Sequence, residues 1–232
     1  MFIGHYGPSL ACKAWKPAIP LWVLFVAVQL VDIIWALLVL LGIEKVRIVP
    51  GITATNPFDL YYMPFTHSLP GATFWSVGAA VAYRAMAPAQ KWTAAVIVGG
   101  AVFSHWILDL IVHRPDLALY DDAYKVGFGL WNYPAIAFVL EIALLFGGIV
   151  LYMRATAPVD AIGRYGMVIL GVIALSCRPT SFSDRRRFRT RPSPLPRSSF
   201  ILLSLWPCIG WKEDAARCPR NLCRSSLSRA SP

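Results

Sequence analysis

The run from Leu21 to Gly42 holds 22 residues and a single charge, Asp32. As a helix rising about 1.5 Å per residue, it covers the roughly 30 Å hydrocarbon thickness of a bilayer. Lys13 and Lys16 precede it as the basic region of a signal peptide would. The apolar core is too long for that role, however, and no small-x-small cleavage site follows, so the pattern predicts a retained span. Further runs of spanning length are Gly71 to Ala87, Trp92 to Val112 and Trp131 to Met153, with a less apolar fifth from Ile162 to Ser176. The expected fold class is therefore all-α: a polytopic transmembrane helix bundle of four to five spans. A hydrophobic fraction of 57% and a mean hydropathy of +0.56 fit a chain whose solvent is lipid.

Charge divides the chain in two. Residues 1–176 carry 10 basic and 9 acidic residues, whereas 177–232 carry 12 and 3. The high pI thus belongs to the C-terminal segment, and no nucleic-acid partner is expected of the helical part. After Ser176 the chain turns to Arg, Ser and Pro without helical or strand period. Two readings are open: a disordered basic cytoplasmic tail, or an out-of-frame extension that truncates the fifth span. Cys177, Cys208, Cys218 and Cys223 lie there without CxxC spacing or a nearby histidine, so they give no zinc-finger signature. The domains expected are a transmembrane unit over 1–176 and a basic tail over 177–232.

An N-terminus in the cytoplasm places Lys13, Lys16, Arg84, Lys91, Arg154 and Arg164 inside, leaving Lys45, Arg47, Arg114 and Lys125 outside. The outer stretch from Ile43 to Pro70, with Pro50, Gly51, Asn56, Pro57 and Pro64, reads as irregular, and Asp121-Asp122 as a solvated turn. Trp22, Trp92, Trp131 and Tyr152 sit near span ends, as interfacial anchors do.

Ionisable residues inside spans are costly and face the bundle interior by preference, which singles out Asp32, His105, Asp109 and Glu141. His105, Asp109 and His113 follow at i, i+4 and i+8, forming one stripe on an α-helix. Imidazole and carboxylate one turn apart suit zinc and similar divalent ions. The competing local reading is a buried histidine hydrogen-bonded to an aspartate. His67, in Pro64-Phe65-Thr66-His67-Ser68, stands either as a ligand or within a helix-start motif capped by Thr66 or Ser68. His5 lies between Gly4 and Gly7 in a short apolar segment, and it can join the others only if residues 1–16 re-enter the bundle. Glu141 could supply a further oxygen or pair with Arg84, and Asp116 could extend the stripe past Pro115.

The order Gly4-His5, Asp32, Thr66-His67-Ser68 and Ser104-His105-x-x-x-Asp109 resembles the YdjM-like family of membrane-bound metal-dependent hydrolases, over about residues 1–153. It is similar, more distantly, to the ligand order of zinc-dependent phospholipase C enzymes. Two departures stand out. The family's Asp-x-Asp-His reads Leu30-Val31-Asp32-Ile33-Ile34 here, and the segment where it has His-Arg-Gly reads Tyr62-Met63-Pro64-Phe65. The later His-xxx-Glu of the phospholipases has no counterpart. The resemblance implies a bacterial inner-membrane location and a divalent metal, zinc first, held by His67, His105 and Asp109 with His5 or His113 added. Asp32 would be general base or bridging ligand, and the substrate a lipid ester or phosphoester drawn from the surrounding membrane lipids. Two other classes remain open: a proton-coupled transporter using Asp32, Glu141, Asp109 and His105 as a titratable path, and a structural membrane protein whose polar residues lock helix packing. Haem would need His67, because His105 and His113 share one helix.

Overall fold

A computed structural model of the protein describes residues 3–157 and positions 165, 166, 169, 171 and 172. The fifth run expected over 162–176 lies largely outside the described residues, and the segment 177–232 lies wholly outside them.

After a single 3-10 turn at Ile3–His5, five α-helices follow in the described residues: α1 (Tyr6–Trp15), α2 (Leu21–Leu40), α3 (Leu69–Met86), α4 (Trp92–Val112) and α5 (Pro134–Ala155). Their boundaries have local causes. Gly42, at φ +73°, sits in the left-handed region just past α2, where a residue without Cβ is at no disadvantage. The Ser68 hydroxyl accepts the Gly71 N–H at 3.0 Å and starts α3, with Pro70 in its first turn. Pro134 opens α5 in the same manner.

Three of these helices, α2, α4 and α5, are long and apolar enough to cross a membrane, which is compatible with an integral membrane protein. α3 has 18 residues but carries Thr73, Ser76, Tyr83 and Arg84, and it is not one of the three. α4 is the central helix: 56% of its apolar window is buried, against 28% for α2 and 22% for α5. Small residues make this possible. A Cβ on Gly99 would lie 2.8 Å from the Ser76 carbonyl oxygen, so α3 and α4 approach nearly backbone to backbone.

α1 is ten residues long, too short to span, and it packs between α2 and α5. Gly7 and Gly148 allow this. A Cβ on Gly7 would fall against the Leu144 carbonyl, and one on Gly148 would lie 2.8 Å from Gly7 Cα. Residues 3–15 thus fold back into the bundle, the condition under which His5 can reach the other polar groups.

The described residues are mostly helical, as expected, and two short hairpins are added to the helices. β1 (Lys45–Ile48) and β2 (Phe58–Tyr62) form an antiparallel hairpin with Arg47 opposite Asp59, and β3 (Leu117–Tyr120) pairs with β4 (Ala123–Val126) around a turn at Asp121-Asp122. The stretch read as irregular has Pro50 and Gly51 outside its paired segments, while Phe58-Asp59-Leu60-Tyr61-Tyr62 supplies the β-branched-free but aromatic-rich strand.

Apolar packing brackets the bundle. Leu24, Val28 and Val31 of α2 meet Ala94, Val98 and Val102 of α4 in one cluster. A second joins Leu108 and Val112 of α4 to Leu60, Met63, Leu117 and Trp131 from the hairpins and the turn before α5. His105 and Asp109 lie along α4 between Val102 and Val112, at the junction of the two.

Candidate metal centre

Four segments converge at this junction. The 3-10 turn brings His5, α2 brings Asp32, the loop before α3 brings His67, and α4 brings His105 and Asp109 one helical turn apart. His5, His67, His105 and Asp109 are each at most 3% exposed. The Asp32 side chain is 31% exposed and is the open member of the group.

The interatomic distances fall in a narrow band. His105 Nε2 lies 3.1 Å from Asp109 Oδ2 and 3.4 Å from Asp32 Oδ1. His67 Nε2 is 3.5 Å from Asp32 Oδ1 and 3.6 Å from Asp109 Oδ2. His5 Nε2 is 3.3 Å from Asp109 Oδ1, and its ring stacks on His105 with centroids 4.0 Å apart. Charge-assisted N–H···O bonds run at about 2.7–2.9 Å, so most of these pairs are too long to be such bonds. A tetrahedral ion with bonds of about 2.0–2.1 Å sets its ligand atoms about 3.3–3.4 Å apart, which is the spacing observed.

Outer hydrogen bonds fix which ring nitrogens face inward. His105 Nδ1 lies 2.7 Å from the Val28 carbonyl oxygen, which can only accept, so Nδ1 carries the proton. The buried Nε2 is thereby turned toward Asp109 and Asp32. The His67 Nδ1 bonds the Thr66 hydroxyl at 2.8 Å, and that hydroxyl donates to Glu44 at 2.6 Å, so Nδ1 is again the donor. His113 Nδ1 donates to Asp116 at 2.8 Å, turning its Nε2 toward Asp109 Oδ2 at 3.6 Å.

Imidazole nitrogens and carboxylate oxygens therefore face one another around one point. Two groups, His5 with His105 and Asp109, and Asp32 with His67 and His105, have ligand atoms within 4.8 Å of one another and could hold a metal ion. This donor set of nitrogen and carboxylate oxygen suits a divalent ion.

His5, Asp32, His67, His105, Asp109 and His113 arrive at or beside this cluster, though in different parts. His113 ends α4 in extended conformation and points at Asp109, but it belongs to neither metal group. Asp116 does not extend the stripe; it holds His113 from behind. The choice between ligand and cap at Thr66-His67-Ser68 resolves by division of labour, since Ser68 caps α3, Thr66 holds the ring and His67 faces the cluster. Trp106 Nε1 donates to the His67 carbonyl at 2.9 Å and ties this loop to α4. Glu141 is in neither group, and Arg84 donates to the Pro88 carbonyl and lies over the Trp92 ring. Trp131, expected as an interfacial anchor, is instead buried, with its ring 4.1 Å from that of His113.

Sequence reasoning left Glu44 among the loop acids. It is 1% exposed and accepts the Phe65 and Thr66 N–H groups at 2.8 and 2.9 Å as well as the Thr66 hydroxyl. Asp59, also buried, takes the guanidinium groups of Arg47 and Arg114 and joins the first hairpin to the end of α4. Comparison of the chain with protein-family models, curated proteins and solved structures gave no match.

Proposed function

We propose that the protein is an integral-membrane, metal-dependent hydrolase of the YdjM-like kind, acting on a lipid ester or phosphoester. One observation supports the reading: His67, His105, Asp32 and Asp109 turn nitrogen and carboxylate oxygen atoms toward one another at 3.1–3.6 Å, a spacing that suits ligands around one ion. Zinc is the first candidate, because four imidazoles lie within 3.1–3.6 Å of Asp109. In this reading α3 is a fourth span, Lys13 and Lys16 between α1 and α2 lie on the cytoplasmic side, and the membrane is a bacterial inner membrane.

When bound, the metal supplies the Lewis acidity that makes water a competent nucleophile near neutral pH. The remaining work falls to the chain. His67, His105 and Asp109, with His5 beside them, hold the ion, and each ring is fixed by the partner behind it. Asp32, the partly accessible carboxylate of the group, would take the proton of the attacking water as general base. A lipid substrate reaches a site at this depth by lateral diffusion in the bilayer, with no need to leave it.

Metal analysis of detergent-purified protein ending after Ser176, beside a His105→Ala, Asp109→Ala double variant, tests the proposal. About one zinc, manganese or iron per chain, lost in the variant, supports it. Absence of metal from both after reloading refutes it and favours a titratable His and Asp path, to be sought as pH-gradient-dependent flux in vesicles.

A further inference from the structure

Glu44 has no direct contact with the cluster, yet its environment is that of a working group. It is buried, it lies 22 positions from Thr66 in sequence, and its Oε1 and Oε2 together take three donors. Oε1 accepts the two consecutive backbone N–H groups of Phe65 and Thr66, which fixes the backbone leading into His67. Oε2 accepts the Thr66 hydroxyl proton at 2.6 Å. That second bond sets a direction. With its proton committed to the carboxylate, the hydroxyl oxygen offers a lone pair to His67 Nδ1 at 2.8 Å, and the imidazole proton must sit there. Nε2 is the nitrogen that faces Asp32 and Asp109 and can offer a lone pair there.

We infer that Glu44, acting through the Thr66 hydroxyl, is a positioning residue that locks His67 in the Nδ1–H tautomer and presents Nε2 as a metal ligand. The inference rests on the metal-binding reading above. It specifies a carboxylate-hydroxyl-imidazole relay in which neither outer member touches the ion. The neighbouring histidines are oriented differently, His105 by a backbone carbonyl and His113 directly by Asp116, so His67 is the ligand whose tautomer depends on an intervening side chain.

The test is titration of the metal-stripped full-length protein in detergent with cobalt(II), whose visible absorption reports ligand geometry. Thr66→Val keeps the side chain's shape and removes the hydroxyl; it should weaken cobalt binding about 10- to 100-fold and alter the absorption spectrum. Glu44→Gln replaces an accepting oxygen with a donor and should weaken binding about tenfold or more. Thr66→Ser, which retains the hydroxyl, should restore the wild-type spectrum and affinity. Thermal midpoints are recorded alongside. If Thr66→Val and Glu44→Gln lower the midpoint but leave the cobalt spectrum and affinity unchanged, the relay is merely structural and the inference fails. If Thr66→Ser behaves as Thr66→Val, it fails as well. Wild-type protein that takes up no cobalt refutes the metal reading itself, and the inference with it.

Discussion

Gly147 and Gly148 are adjacent on α5, alike in sequence and opposite in surroundings. A Cβ on Gly147 meets nothing within 4 Å, whereas one on Gly148 lies 2.8 Å from Gly7 Cα and 3.0 Å from the Gly7 carbonyl carbon. Carbon atoms rest at about 3.5–4.0 Å, so Gly148→Ala must drive α1 and α5 apart by about 1 Å. Both obstructing atoms belong to a backbone, and no side-chain rotation relieves them. The expected cost is that of overpacking, about 1–3 kcal/mol. Gly147→Ala should be neutral or stabilise by up to about 1 kcal/mol, because alanine loses less backbone entropy in a helix. His5 lies two residues before Gly7, so the displacement should also disturb its 3.3 Å approach to Asp109 and weaken metal binding in Gly148→Ala alone. Thermal unfolding in detergent, with zinc affinity measured on the same preparations, reads both effects. At roughly 2–4 °C per kcal/mol for a chain of this size, the two variants should separate clearly. Equal midpoints, or a Gly148→Ala protein with unaltered stability, would refute the close α1 to α5 packing and with it the seating of His5.

Three further outcomes follow from the geometry. Asp32→Asn leaves the His5, His105 and Asp109 group intact and should retain metal there while lowering lipid-ester turnover about 10²- to 10⁴-fold, so a variant that hydrolyses normally removes Asp32 as the base. Chelation should lower the thermal midpoint and zinc should restore it, because an ion that binds only the folded chain stabilises that state; a midpoint indifferent to both argues against a resident metal. Around buried Asp59, Arg114→Ala should cost more stability than Arg47→Ala, about 1–3 against less than about 1 kcal/mol, since the Arg114 side chain is 31% exposed and that of Arg47 is 64% exposed. Denaturation of the two variants that gave the reverse order would show that exposure does not govern this pair.

What was legible in the sequence was whatever depended on local spacing. The helices at 21–40, 92–112 and 134–155 follow from apolar runs of bilayer length, and the pairing of His105 with Asp109 follows from the 3.6-residue period alone. His113 shows where that logic stops. At i+8 it belongs to the same stripe, but α4 ends at Val112, and its side chain reaches Asp109 from an extended residue held by Asp116. The hairpins escaped notice because four- and five-residue strands flanked by proline and glycine leave little periodic signal, and their partners are fixed only by pairing.

The placement of His5 and the role of Glu44 share a cause that spacing cannot express. Each depends on two backbones meeting far apart in sequence: Gly7 on Leu144 and Gly148 for His5, and Glu44 on Phe65 and Thr66 for His67. A glycine pair and an acid in a loop are common and carry no mark of their future neighbours. Their meaning comes from the demand that a cluster of buried acceptors imposes, because each imidazole nitrogen facing inward needs a proton acceptor behind it on the other nitrogen. For His105 a helix carbonyl serves, and Val28 supplies it wherever α2 packs on α4. For His67, in the loop before α3, one buried carboxylate answers the loop backbone and, through the Thr66 hydroxyl, the ring together. An apolar residue at position 44 would leave two backbone donors and a hydroxyl unsatisfied beside the cluster, so folding of this loop and preparation of the ligand are the same requirement.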